Sequence, residues 1–168
     1  MKNNNHIYYY TFRTKNWNLF LAATGKELCY ISTRPNKEGV NYLRKTYGNV
    51  TFEENENVMK VYADQLIEYL NGERTNFELP LLINGSPFQK LVWNALIQIP
   101  YGETSTYTEI AEKIGRPSAV RAVASAIGKN PILIVIPCHR VIRKNGELSG
   151  FRDGVQVKER LLKLEGNY

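Results

Sequence analysis

Between Ser86 and Pro131 the chain is cut at close intervals by helix starts and stops, so this stretch admits only short helices. Ser86-Pro87 sets a hydroxyl N-cap before a proline at the first helical position. An apolar stripe of Phe88, Leu91, Val92, Ala95, Leu96 and Ile99 follows, and Pro100-Tyr101-Gly102 breaks it. Thr106 with Glu109 three positions later fits a capping box. The helix it opens runs to Ile114 and ends at Gly115. Past Arg116-Pro117 another helix begins near Ser118, and Asn130-Pro131 ends it. Two short helices joined by a tight glycine turn have the form of a helix-turn-helix.

The first half reads differently. IYYYTF and NLFLAATGKELCYISTR are rich in aromatic and β-branched residues with a Gly-Lys turn, which predicts strands and at least one hairpin. Residues 55–71 carry Val58, Val61, Tyr62, Leu66 and Leu70 at helical spacing, with Gly72 as C-cap. NGERTNFELPLL is expected to connect the halves and lead into an extended segment. A length of 168 residues suits one generous domain or two small ones, and the change of pattern places a boundary at 80/81. No apolar run reaches the roughly 18 residues of a membrane span. MKNNNHIYYYTFRTKNW lacks the apolar core of a signal peptide. Two cysteines suggest free thiols and a reducing, cytoplasmic address.

Net charge is +6, and +5 of it falls in residues 81–168. Lys113 to Gly146 contains no acid but holds Lys113, Arg116, Arg121, Lys129, Arg140, Arg143 and Lys144. Such a zone fits a polyanion, or a solvated face with no partner. In the helix 118–129, Val120, Val123 and Ile127 share one face and are expected in the core. Ser118, Arg121, Ala122 and Ser125 share the other, where a single long cation stands among small residues. Such a face suits the minor groove, about 6 Å wide, or close packing on another helix.

ILIVIP is too apolar for an exposed loop, so Cys138 is expected at the rim of something buried. The cations nearby in sequence would favour its thiolate. His139 is adjacent, and neighbouring side chains point apart, so contact through a water is favoured over a direct bond; the other reading is an inert buried thiol with no chemistry at all. Glu165 ends a predicted helix over 155–165, where the helix dipole disfavours an acid unless a partner such as histidine explains it.

Together these pieces resemble the O6-alkylguanine-DNA alkyltransferases. The resemblance rests on Pro137-Cys138-His139-Arg140-Val141, with Tyr101-Gly102, Tyr107, Arg121 within RAV, Asn130-Pro131 and the closing LLKLEG. It covers residues 80–168 strongly and the first half in outline. It implies an α+β fold: a small α/β ribonuclease H-like N-terminal domain (1–80) and a helical C-terminal domain (81–168) with a helix-turn-helix, winged-helix-like. It implies irreversible, single-turnover transfer of an alkyl group from O6-alkylguanine, and in some members O4-alkylthymine, in double-stranded DNA to Cys138. His139 would take the thiol proton through a water, Glu165 would orient that histidine, and Asn130 would support the cysteine turn. Tyr107 would stand beside a flipped nucleotide and Arg121 would enter the duplex from the minor groove. Ser118, Ala122, Ser125 and Arg140 would complete the DNA surface. The family implies a monomer with no cofactor.

The chain departs from the family at Phe151, where many members carry tyrosine, and at Asp153, expected beside the pocket with an effect on large alkyl groups. The zinc site of some animal relatives is not expected, since only His6 and Cys29 precede the motif. A damage sensor without the cysteine is opposed by Cys138 itself. A transcription regulator is opposed by the poor base readout of the small-residue helix. A zinc hydrolase would need a ligand spacing that is absent here.

Overall fold

A computed structural model describes residues 6–167 and divides at Asn84/Gly85 into two compact units. Residues 1–5, part of the stretch read above for a leader, lie outside the described residues. In the first unit β1 (His6–Arg13), β2 (Asn18–Ala23) and β3 (Leu28–Ser32) form an antiparallel meander. The predicted hairpin is β2–β3, closed at Gly25 with φ +92°. β4 (Thr51–Glu54) joins β1 in parallel, giving the order β3-β2-β1-β4. The helix expected over 55–71 is α2 (Glu56–Leu70), capped by the Asn55 side chain on the Val58 amide.

Sequence reading missed α1 (Asn36–Tyr47). Its stretch holds a mid-helix glycine and few apolar residues, which weakens the helical signal. Gly39 is there because a Cβ would come within 2.4 Å of the Phe20 ring. The absent side chain lets the helix lie on the cluster of Ile7, Phe20, Ala22, Cys29, Tyr30 and Leu43. Cys29 belongs to that cluster and donates to the Ala22 carbonyl.

The second unit carries α3 (Pro87–Ile97), a two-residue strand β5 (Ser105–Thr106), α4 (Tyr107–Lys113), α5 (Val120–Gly128), β6 (Val141–Ile142) and α6 (Val155–Leu164). The expected capping box closes, Thr106 with Glu109, and the Ser86 N-cap forms a second one with Gln89. Gly115, at φ +70°, turns the chain between α4 and α5. α3 buries Val92, Trp93, Ala95 and Leu96, and the Trp93 indole donates to the Ala126 carbonyl of α5. Leu91, expected in the buried stripe, is instead exposed. β5 pairs with β6 in parallel, which ties the chain after Arg140 to the start of α4. No helix among the described residues is long and apolar enough to cross a membrane.

Candidate active site

The apolar run Ile132–Ile136 does not form a strand. It winds through a buried turn in which Ile134 takes φ +73°, a left-handed backbone that costs a β-branched residue of the order of 1–3 kcal/mol. The Asn130 side chain spans this turn. Its Oδ1 accepts from the Ile132 amide at 2.9 Å, and its Nδ2 donates to the Ile136 carbonyl at 2.8 Å and to Cys138 Sγ at 3.1 Å. Both amide hydrogens are thereby committed, one of them to the sulfur. Pro137 then leads into a 3-10 turn, Cys138–Arg140.

Cys138 and His139 are both buried and do not bond each other directly. His139 Nε2 lies 2.8 Å from Glu165 Oε1, at the C-terminus of α6. The carboxylate can only accept, so Nε2 carries the hydrogen. Nδ1 is left buried with no protein partner. Burial holds the His139 pKa below its ordinary value, against the opposing pull of Glu165. The ring is therefore neutral near pH 7, with a free lone pair on Nδ1.

Arg140 was expected at the DNA surface, and here it points inward. Its Nε and Nη2 bond both oxygens of Glu165 at 2.9 and 2.8 Å, and Nη1 donates to the Ile99 carbonyl. Its guanidinium also lies over the Tyr101 ring. With its donors used internally, it is not placed to reach a phosphate. A charge buried within an apolar motif requires a partner, and that requirement was the available signal.

Burial pushes the Cys138 thiol above its ordinary value. The Asn130 hydrogen bond opposes this, as do the charges of Arg152 and Lys158. Cations do act on the sulfur, but these two arrive from later segments rather than from the sequence neighbours invoked above. Lys158 was missed altogether. It is buried in α6, donates to the Val141 carbonyl and stands 5.9 Å from the Tyr107 ring centre. Desolvation brings its pKa down to about 8.

Tyr107 opens α4 and hydrogen-bonds Ser149; burial raises its phenol pKa. It lines a cavity of about 580 Å³, together with Val120, Arg121, Ile127, Phe151 and Arg152 among others. Ser118, Arg121, Ala122 and Ser125 are exposed on and just before α5, as the pattern predicts. Val123 and Ile127 are buried, but Val120 is only half-buried and contributes to the cavity wall instead of the core. Phe151 and Arg152 face this cavity. Asp153 is not in its wall: its carboxylate is buried against Arg152.

Residues 87–167 match the family described as 6-O-methylguanine DNA methyltransferase, DNA binding domain, and residues 7–83 match its ribonuclease-like domain. The chain belongs to this family. A methylated-DNA–protein-cysteine methyltransferase described as inducible, from Bacillus subtilis, is 44% identical over 95% of this chain and 90% of its own length. One from Methanosarcina acetivorans is 48% identical over 78% of this chain and 88% of its own. Among solved structures, Mycobacterium tuberculosis OGT in complex with DNA is 39% identical with a TM-score of 0.82, covering 94% of this chain and 92% of that one. The two-part fold is that of the methyltransferase family: a ribonuclease-like α/β domain followed by a helical DNA-binding domain.

Proposed function

We propose that this methyltransferase-family chain repairs alkylated duplex DNA by moving the O6-alkyl group of guanine, and by the same chemistry the O4-alkyl group of thymine, onto Cys138. The observation that carries the reading is the neutral His139, with its buried, unpartnered Nδ1, next in the chain to the buried Cys138. A buried acceptor of this kind normally takes a water. A water bonded to both Nδ1 and Cys138 Sγ passes the thiol proton to the ring, and Glu165 stabilises the imidazolium through Nε2. The thiolate attacks the alkyl carbon in line, a C–S bond forms, and the C–O bond pair leaves on guanine. Asn130 supports the charge on sulfur before attack, because a donor aimed at the charged form favours it.

The target atom is not reachable in a stacked duplex, so the nucleotide leaves the helix, at a cost of a few kcal/mol. The cavity beside Tyr107 lies in the usual range for ligand pockets, about 300–1,000 Å³. α5 lies in the minor groove, where Ser118, Ala122 and Ser125 permit close approach and Arg121 fills the space the base vacates. Exposed Lys113, Arg116, Lys129 and Lys144 attract the phosphates. On this reading the protein works as a monomer without cofactor. Its two free, buried thiols fit a cytoplasmic setting.

The product is a thioether, which has no acidic proton and is a poor leaving group, so each molecule acts once. The test is a titration of O6-methylguanine duplex against protein, read by intact mass and peptide mapping. One alkyl group per chain, on the Cys138 peptide, is expected. A plateau well above one lesion per chain, or label on Cys29, overturns the reading.

A further inference from the structure

The loop after Gly150 holds an ion pair, buried on its acidic side, that plays no part in the proton path. Asp153, with a side chain only 1% exposed, accepts from Arg152 Nε at 3.1 Å. Arg152 Nη1 donates to the main-chain carbonyl of Asn130 at 2.8 Å. Asn130 in turn donates to Cys138 Sγ at 3.1 Å. Hydrogen bonds thus run from a buried carboxylate, through a cation in the cavity wall, to the residue that holds the sulfur. We propose that Arg152, clamped by Asp153, is a positioning residue for Cys138: it fixes Asn130 at its backbone and keeps a permanent positive charge beside the sulfur. This rests on reading Cys138 as the alkyl acceptor.

Two physical arguments support it. Asn130 makes its three side-chain bonds from one backbone position, so a donor that anchors its carbonyl steadies all three. A guanidinium also stays charged at every working pH, and a nearby cation favours a thiolate. The charges acting on Cys138 are those of Arg152 from the loop and Lys158 from α6; its uncharged titratable neighbours are Tyr107 of α4 and the neutral His139 that serves as its relay. Arg152 and Lys158 both oppose the desolvation that raises the thiol. Lysine loses charge near pH 8 here, whereas arginine does not. Asp153, buried in this loop, is on this account the partner that holds Arg152 in place.

The experiment compares the full chain with Arg152→Ala, Arg152→Gln and Arg152→Lys. Glutamine keeps a donor for the Asn130 carbonyl and drops the charge, so it serves where alanine fails to fold. Two pH profiles are taken: single-turnover transfer from O6-methylguanine duplex, and labelling of the Cys138 peptide by iodoacetamide. Loss of the charge is expected to move both midpoints upward by about one pH unit, and so to slow both reactions about tenfold at pH 7. Lysine is expected to restore most of the shift, with affinity for undamaged duplex little changed in the glutamine variant and its melting temperature lowered, because Asp153 is left buried without its cation. Unmoved midpoints in both the glutamine and the alanine variants overturn the proposal. If the wild type takes no alkyl group from DNA while its iodoacetamide midpoint still follows the charge at 152, the functional reading fails and this one stands.

Discussion

At the residue scale, Glu165 has the most demanding position. It accepts from His139 and twice from Arg140 while buried. Arg140 holds Glu165 ionised, and the ionised carboxylate is what steadies a charged His139. Glu165→Gln is therefore expected to slow single-turnover alkyl transfer at least about tenfold, since positioned proton transfer contributes about 10²–10⁴-fold. It also leaves the Arg140 charge buried and uncompensated, so stability should fall by about 3 kcal/mol, read from urea unfolding. An unchanged rate across neutral pH would remove Glu165 from the proton path. Lys158 gives a second prediction, in pH. Its folded pKa of about 8 lies below the ordinary 10.5. Below pH 8 both folded and unfolded states are charged, and folding bears the full cost of burying that charge. Between about 8 and 10.5 the unfolded state binds more protons, so stability rises with pH. Against Lys158→Met, the wild type should gain stability steadily across that window. Parallel curves for the two proteins would show that Lys158 stays charged when folded.

At the element scale, α5 bears on function through what its outer face lacks. Arg121→Ala is expected to weaken repair of duplex DNA more than transfer from free O6-methylguanine base, because only the duplex has a space to fill. Equal losses in the two single-turnover assays would place Arg121 elsewhere. The elements of this half were legible because their signals are local. A hydroxyl and a glutamate three apart make a cap wherever they sit, and Gly115 turns the chain by its own backbone freedom. The small-residue face of α5 likewise followed from spacing alone. What was not legible depends on segments distant in sequence. Arg140 turns inward because Glu165 and the Ile99 carbonyl await it. Lys158 reaches the site only through the packing of α6 against the cysteine turn, and Val120 becomes cavity wall because the 149–152 loop lies opposite. α1 was lost for a different reason: its mid-helix Gly39 looks like a helix breaker and is in fact a close contact with Phe20.

At the scale of the whole molecule, one repair alters the protein permanently. Cys138 is 2% exposed and already in contact with Asn130. An added alkyl group overfills that space, at a cost of roughly 1–3 kcal/mol. The alkylated chain is expected to melt several degrees below the unreacted one in calorimetry, with a larger drop for benzyl than for methyl. Equal melting temperatures would mean that the site has room in reserve. The left-handed backbone at Ile134 has a consequence of another kind. No isolated peptide of this sequence would choose that conformation, because nothing in it repays the strain. A synthetic fragment spanning 130–142 would relax, release Asn130 from the sulfur and behave as an ordinary thiol. The motif can be copied into another protein letter by letter without its chemistry, since the shape that makes it reactive is imposed from outside those thirteen residues.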